Sequence, residues 1–143
     1  MRVVIVAGIL VCAAFLGCSA NRSAEKPGEL KGPVKLTIIA DPRQGFAPVA
    51  ISFKAQLSGA SETDPAYYCL QEEWDFGDGS VSSDKPNCEP YAAGSKVTRE
   101  FFVEHVYQNE GIYTAKFKLG DKLRSNPVAV NVLENRTGAP SGP

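Results

Sequence analysis

The chain has 143 residues, 43% of them hydrophobic and 22% charged, which is room for one ordinary domain and excludes a disordered chain of low hydrophobicity and high net charge. Fifteen Lys and Arg stand against 16 Asp and Glu, for a formal net charge of −1, so no basic surplus points to nucleic acid. One histidine and four cysteines leave little material for a metal or nucleophile site.

Met1-Arg2 is followed by 14 apolar residues, Val3 to Leu16. A bilayer-spanning helix needs about 20, so the run reads as the core of a secretory signal after a short positive start. It ends in Ala14-Phe15-Leu16-Gly17-Cys18-Ser19, which resembles the lipobox of bacterial lipoproteins, with Phe15 where leucine is more usual. The resemblance implies that residues 1–17 are a signal peptide and that Cys18 becomes the lipidated first residue of the mature protein. It implies an extracytoplasmic chain anchored to the cell envelope, on the outer membrane if the source is Gram-negative, since Ser19 fits that sorting rule. Residues 18–33 then form the lipidated cysteine and a polar tether with Pro27, Gly28, Gly32 and Pro33. Such a composition is that of a flexible linker. Residues 135–143, rich in Gly and Pro, read as a disordered tail.

Residues 34–134 alternate at period two, which places each apolar set on one strand face. Val34 to Ala40 is a first strand, ended by Asp41-Pro42. Val49, Ile51, Phe53, Ala55 and Leu57 form a second apolar set. Phe101, Val103, His105 and Tyr107 form a third, and Tyr113, Ala115, Phe117 and Leu119 a fourth. Gly120-Asp121 starts a turn toward a last strand carrying Val128, Val130 and Val132. No stretch is amphipathic at helical period. The expected fold is all-β, an immunoglobulin-like β-sandwich of about seven antiparallel strands.

Trp74-Asp75-Phe76-Gly77-Asp78-Gly79 resembles the WDFGDG motif of the PKD (polycystic kidney disease) domain family. Gly45-Phe46-Ala47-Pro48-Val49, His105-Val106-Tyr107 and Gly111-Ile112-Tyr113-Thr114-Ala115 follow that family's pattern in the same order. The resemblance implies a non-catalytic interaction module that binds protein or polysaccharide, with an accessory subunit of an envelope complex as one candidate role. A structural spacer without a specific ligand is the alternative, and a small hydrolase is a distant third. The residues make physical sense alone. Trp74 and Phe76 share one strand face and fill the space between sheets. Gly77 and Gly79 permit a tight turn, and Asp75 and Asp78 bond nearby amides. Tyr113 is placed as a tyrosine corner, with a buried ring and its hydroxyl on a backbone group.

Other chemistry is weighed against these structural roles. Some PKD domains bind calcium near this turn, which makes Asp75 and Asp78 candidate ligands with Asp41 as a helper, although calcium wants six to eight oxygens or so. His105 lacks an evident nucleophile and reads as a packed, hydrogen-bonded residue. With Cys12 in the signal and Cys18 lipidated, Cys69 and Cys88 remain as an even pair in an oxidising compartment. A disulfide is expected, with a redox or metal pair as the alternative. The stretch Ser82 to Lys96 is long for its position in the family pattern and carries Cys88. Tyr67 and Tyr68 precede it and Tyr91 lies within it, as binding aromatics or as edge packing.

Overall fold

The structure, a computed structural model, describes residues 32–135. The expected signal segment, Cys18, most of the tether and the tail beyond Asn135 lie outside the described residues. Nine strands are formed: β1 (Lys35–Asp41), β2 (Gln44–Phe46), β3 (Val49–Ser58), β4 (Glu72–Asp75), β5 (Val81–Asp84), β6 (Glu100–Tyr107), β7 (Gly111–Leu119), β8 (Leu123–Arg124) and β9 (Val128–Leu133). The one helical element among the described residues is a short 3-10 turn, Pro65–Tyr67.

The strands make two sheets. One has the order β1-β3-β6, and the other has the order β2-β9-β7-β4-β5 with β8 paired to β7. The alternating sets predicted from sequence are the inner faces. Ile51, Phe53, Ala55 and Leu57 from β3 face Ala115, Phe117 and Leu119 from β7 and Val128, Val130 and Val132 from β9, all buried in one core. Period two on a half-wet sheet accounts for this, because one face of each strand must be covered.

The all-β sandwich of about seven strands is as expected, with β2 and β8, of three and two residues, added among the described residues and carrying no readable alternation. Two expectations are corrected. The pairing is not wholly antiparallel: β2 runs parallel to β9, with Gln44, Gly45 and Phe46 opposite Asn131, Val132 and Leu133. The chain leaves β1 through Pro42-Arg43 and crosses to the other sheet, so its first extended region serves both. The turn at Gly120-Asp121 leads into β8, which folds back on β7, rather than directly into the last strand.

Register assigns the longer connections to one of two ends. Lys35 pairs with Ser58 and Glu72 with Leu119. Pro33, the 59–71 and 85–99 connections and the 120–122 turn therefore share one end, the cap end. Val49 pairs with Tyr107, Gly111 with Val132 and Phe46 with Leu133. The 76–80 turn and the exit of β9 therefore lie at the other, the turn end. The described chain enters at one end and leaves at the opposite one.

Candidate functional site

At the turn end, β4 delivers Trp74 and Phe76 inward, 3% and 4% exposed. Trp74 packs against Phe117, ring centroids 4.2 Å apart, and Phe76 against Phe53 at 5.7 Å. The Phe76 N–H donates to Ser80 O and closes the turn at 3.2 Å. Gly77 is required twice over: its φ is +80°, and a Cβ there would lie 2.6 Å from the Thr114 carbonyl oxygen. Asp75 Oδ1 accepts from Gly77 N–H at 3.0 Å and Asp78 Oδ1 from Ser80 N–H at 2.9 Å, the local bonding expected of aspartates in turns.

The His105 ring stacks flat on Phe76 at 4.0 Å and its Nε2 donates to Asp78 Oδ2 at 2.7 Å. Burial pushes the Asp78 carboxyl up, but bonds from His105 and from the Ser80 backbone and side chain outweigh it and hold it below its ordinary 3.8. The fully buried Tyr107 donates its hydroxyl to Phe76 O at 2.8 Å, and burial, with Asp78, Tyr113 and Asp75 nearby, pushes its phenol well up. Tyr113 stacks on Tyr107 and sends its hydroxyl to Asn109 O at 3.0 Å. It is a tyrosine corner as expected, though its ring is half-buried rather than buried.

The arrangement is one of support. Asp78 lies between the Ser80 hydroxyl and the His105 imidazole, so the order hydroxyl–imidazole–carboxylate that activates a serine is not formed. Among the described residues no three carboxylate, histidine or cysteine groups gather as a metal site, so Asp41 does not join Asp75 and Asp78.

At the cap end the expected disulfide is present: Cys69 and Cys88 are bonded, Sγ–Sγ 2.07 Å, with Cα atoms 6.1 Å apart. It ties the 59–71 connection to the one after β5. Ser82 to Asp84 belong to β5, and the irregular connection runs from Lys85 to Arg99, three residues past the expected end of the insertion at Lys96. The two connections are bonded repeatedly. Tyr68 donates to Glu89 O at 2.9 Å, Tyr91 to Thr63 O at 2.6 Å, and Val97 N–H to Glu62 O at 2.8 Å. The rings of Tyr68 and Tyr91 meet edge to face at 5.3 Å, a favourable aromatic geometry. The Arg99 guanidinium donates to Ala60 O.

The three tyrosines therefore separate. Tyr67 packs against the core. Tyr68 and Tyr91 use their hydroxyls as braces while Tyr91 remains 41% exposed. Glu62, Thr63, Val97 and Arg99 were not singled out in the sequence, since three of them act through backbone groups that carry no side-chain signal. Asp64 caps the 3-10 turn by accepting from Ala66 N–H at 2.9 Å, with proline in the first turn, where its missing N–H costs nothing. Between that turn and the β7–β8 hairpin lies a cleft of about 370 Å³ lined by Tyr67, Leu70, Leu119 and Leu123 among others.

Two packed sheets, a β1–β2 strand that serves both, and an aromatic turn held by His105 and Tyr107 define an immunoglobulin-like sandwich. The family model for the PKD domain matches residues 35–133, and the chain belongs to the PKD domain family. Among solved structures it is similar to the PKD domain of M14-like peptidase from Thermoplasmatales archaeon SCGC AB-540-F20. The two are 18% identical, the match covers 71% of this chain and 97% of that chain, and the TM-score is 0.44. No curated protein matches the chain. PKD domains are generally non-catalytic and typically extracellular, and the disulfide fits an oxidising compartment.

Proposed function

We propose that the chain is an envelope lipoprotein, anchored through lipid on Cys18, that displays its PKD domain as a non-catalytic module for an envelope protein or polysaccharide. The observation that carries the binding role is the cap. Two long connections are cross-linked and hydrogen-bonded into one ordered surface with Tyr91 exposed on it. An ordered loop loses less entropy on meeting a partner than a free one. The cap is also the end at which the chain enters the sandwich. The 15 residues from Ser19 to Pro33 span at most about 50 Å when extended, so a partner at the cap is met close to the membrane.

The entry and exit of the chain at opposite ends favours the second reading, a spacer that carries no specific ligand. The two are separated by chemical cross-linking in intact membranes, comparing the native chain with Tyr91→Ala and with a shortened 89–96 segment that keeps Cys88. Loss of a cross-linked partner with the fold intact supports binding at the cap. Full recovery of the partner by both variants removes the cap as the site, and absence of any cross-linked partner from the native chain leaves the spacer. Cys18→Ser tests the anchor independently: the chain should leave the membrane fraction, and retention would overturn the lipoprotein reading.

A further inference from the structure

The sheet opposite the WDFGDG strand has three strands, β1, β3 and β6. An immunoglobulin constant-type sandwich has four strands in the sheet that here contains β1, β3 and β6, the fourth lying beside the equivalent of β6. In this chain the residues between β5 and β6 are used in the cap, and β6 is the terminal strand of a three-stranded sheet. Its open edge is eight residues long. Register shows which groups it presents. The Leu57 N–H donates to Arg99 O at 2.8 Å, and bonded pairs in an antiparallel ladder recur at every second residue. Phe101, Val103, His105 and Tyr107 therefore bond β3. The N–H and C=O groups of Glu100, Phe102, Glu104 and Val106 face away, and no other backbone hydrogen bond takes them up among the described residues.

The side chains of those same four residues stand on the outer face. Phe102 is 65% exposed and Val106 41%. Glu100 pairs with Lys54 at 2.7 Å, whereas Glu104 meets no cation among the described residues. Exposed edge strands are commonly protected by lysine, proline or a bulge. β6 has none of these. Two carboxylates alternating with two large apolar side chains make it unsuited to a second β6, because each antiparallel register that sets Phe102 against Val106 sets Glu104 against Glu104.

We propose that the open edge of β6 accepts an extended segment of a partner protein as a fourth strand, antiparallel, with apolar and basic residues alternating on its outer face. Read from its N-terminus, the segment is apolar opposite Val106, basic opposite Glu104, apolar opposite Phe102 and basic opposite Glu100. Main-chain bonds to the free groups of β6 supply affinity and the alternation supplies selection, as in other strand-addition complexes. This surface is separate from the cap and does not depend on the lipid anchor.

The test uses the full chain in detergent and the peptide Val-Thr-Lys-Thr-Val-Thr-Lys, with its lysines replaced by glutamate as the control. Binding is read by fluorescence anisotropy and amide hydrogen exchange by NMR. The lysine peptide should bind, and exchange at Phe102, Glu104 and Val106 should slow. Glu104→Lys should weaken the lysine peptide roughly tenfold and reverse the preference in favour of the glutamate peptide, since opposite charges across strands attract and like charges repel. Glu104→Pro removes one free N–H without removing a bond to β3, and proline is tolerated on an edge strand whose N–H faces solvent. It should abolish binding while Trp74 emission stays native. If that variant unfolds, the charge reversal decides alone. Equal binding of both peptides, binding that survives the charge reversal unchanged, or protection at β1 or β5 instead of β6 overturns the proposal. So does a concentration-dependent dimer that protects β6 in the absence of peptide.

Discussion

Removal of the Cys69–Cys88 bond should lower stability without dissolving the core. The bond closes a loop of sequence separation 19. The chain-entropy relation then gives about 3 kcal/mol from restriction of the unfolded state. The whole stability of a domain this size is on the order of 5–15 kcal/mol, so the loss is large but survivable. It falls on the cap, where Tyr68–Glu89, Tyr91–Thr63 and Val97–Glu62 hold the same two connections. Those bonds keep the native cap together once the bond is gone, so the loss should stay near the entropic figure. In urea, where the slope is roughly 1–3 kcal/mol per molar, the midpoint should drop by about 1–3 M. The single tryptophan is Trp74, buried against Phe117, so its fluorescence reports loss of the core. The assay is urea unfolding of the oxidised chain against the Cys69→Ser/Cys88→Ser double variant. Coincident curves would refute the reasoning, and a variant unfolded without urea would show that the cap is required by the core rather than added to it.

Tyr107→Phe removes the hydroxyl that satisfies the Phe76 carbonyl and should destabilise by about 1–3 kcal/mol, read in the same urea assay. Asp78 has a carboxyl held below its ordinary 3.8, so its contribution is present above that value and lost as pH falls through the folded pKa. Asp78→Asn should be less stable at pH 7 and should lose less on acidification below pH 4 or so, measured by thermal melts in steps of pH. Glu72 is shifted the other way. Burial and the neighbouring Asp84 carboxylate raise it above 4.5, against a smaller opposing effect of Trp74, so the protonated form favours the fold below that value and the advantage is lost as pH rises through the folded pKa. Glu72→Gln should therefore melt higher than the native chain at pH 7 and alike at pH 4. Both Asp78 oxygens are already bonded in the turn, so melting temperatures in millimolar calcium and in chelator should agree. A rise in calcium that Asp75→Asn abolishes would place an ion there.

Much of the sandwich was legible in the chain. Strand faces depend on a strict period of two, and the long strands β3, β7 and β9 carry it without interruption, so their inward residues could be named in advance. The turn end was equally legible, because Trp74, Phe76, Gly77, Asp78, His105, Tyr107 and Tyr113 act mainly through side chains or through backbone angles that only glycine adopts readily. Cys69 and Cys88 could be paired by parity once Cys12 and Cys18 were assigned elsewhere. Tertiary structure decided the rest. β2 and β8 are too short to carry a period and exist because longer neighbours offer them free backbone groups. The parallel pairing of β2 with β9 follows from the crossing at Pro42-Arg43, which no local pattern announces. The cap depends on carbonyls of Ala60, Glu62, Thr63 and Glu89, and a carbonyl is the same in every residue. The open edge of β6 depends on where the chain between β5 and β6 goes, a property of its path and not of the residues of β6 themselves.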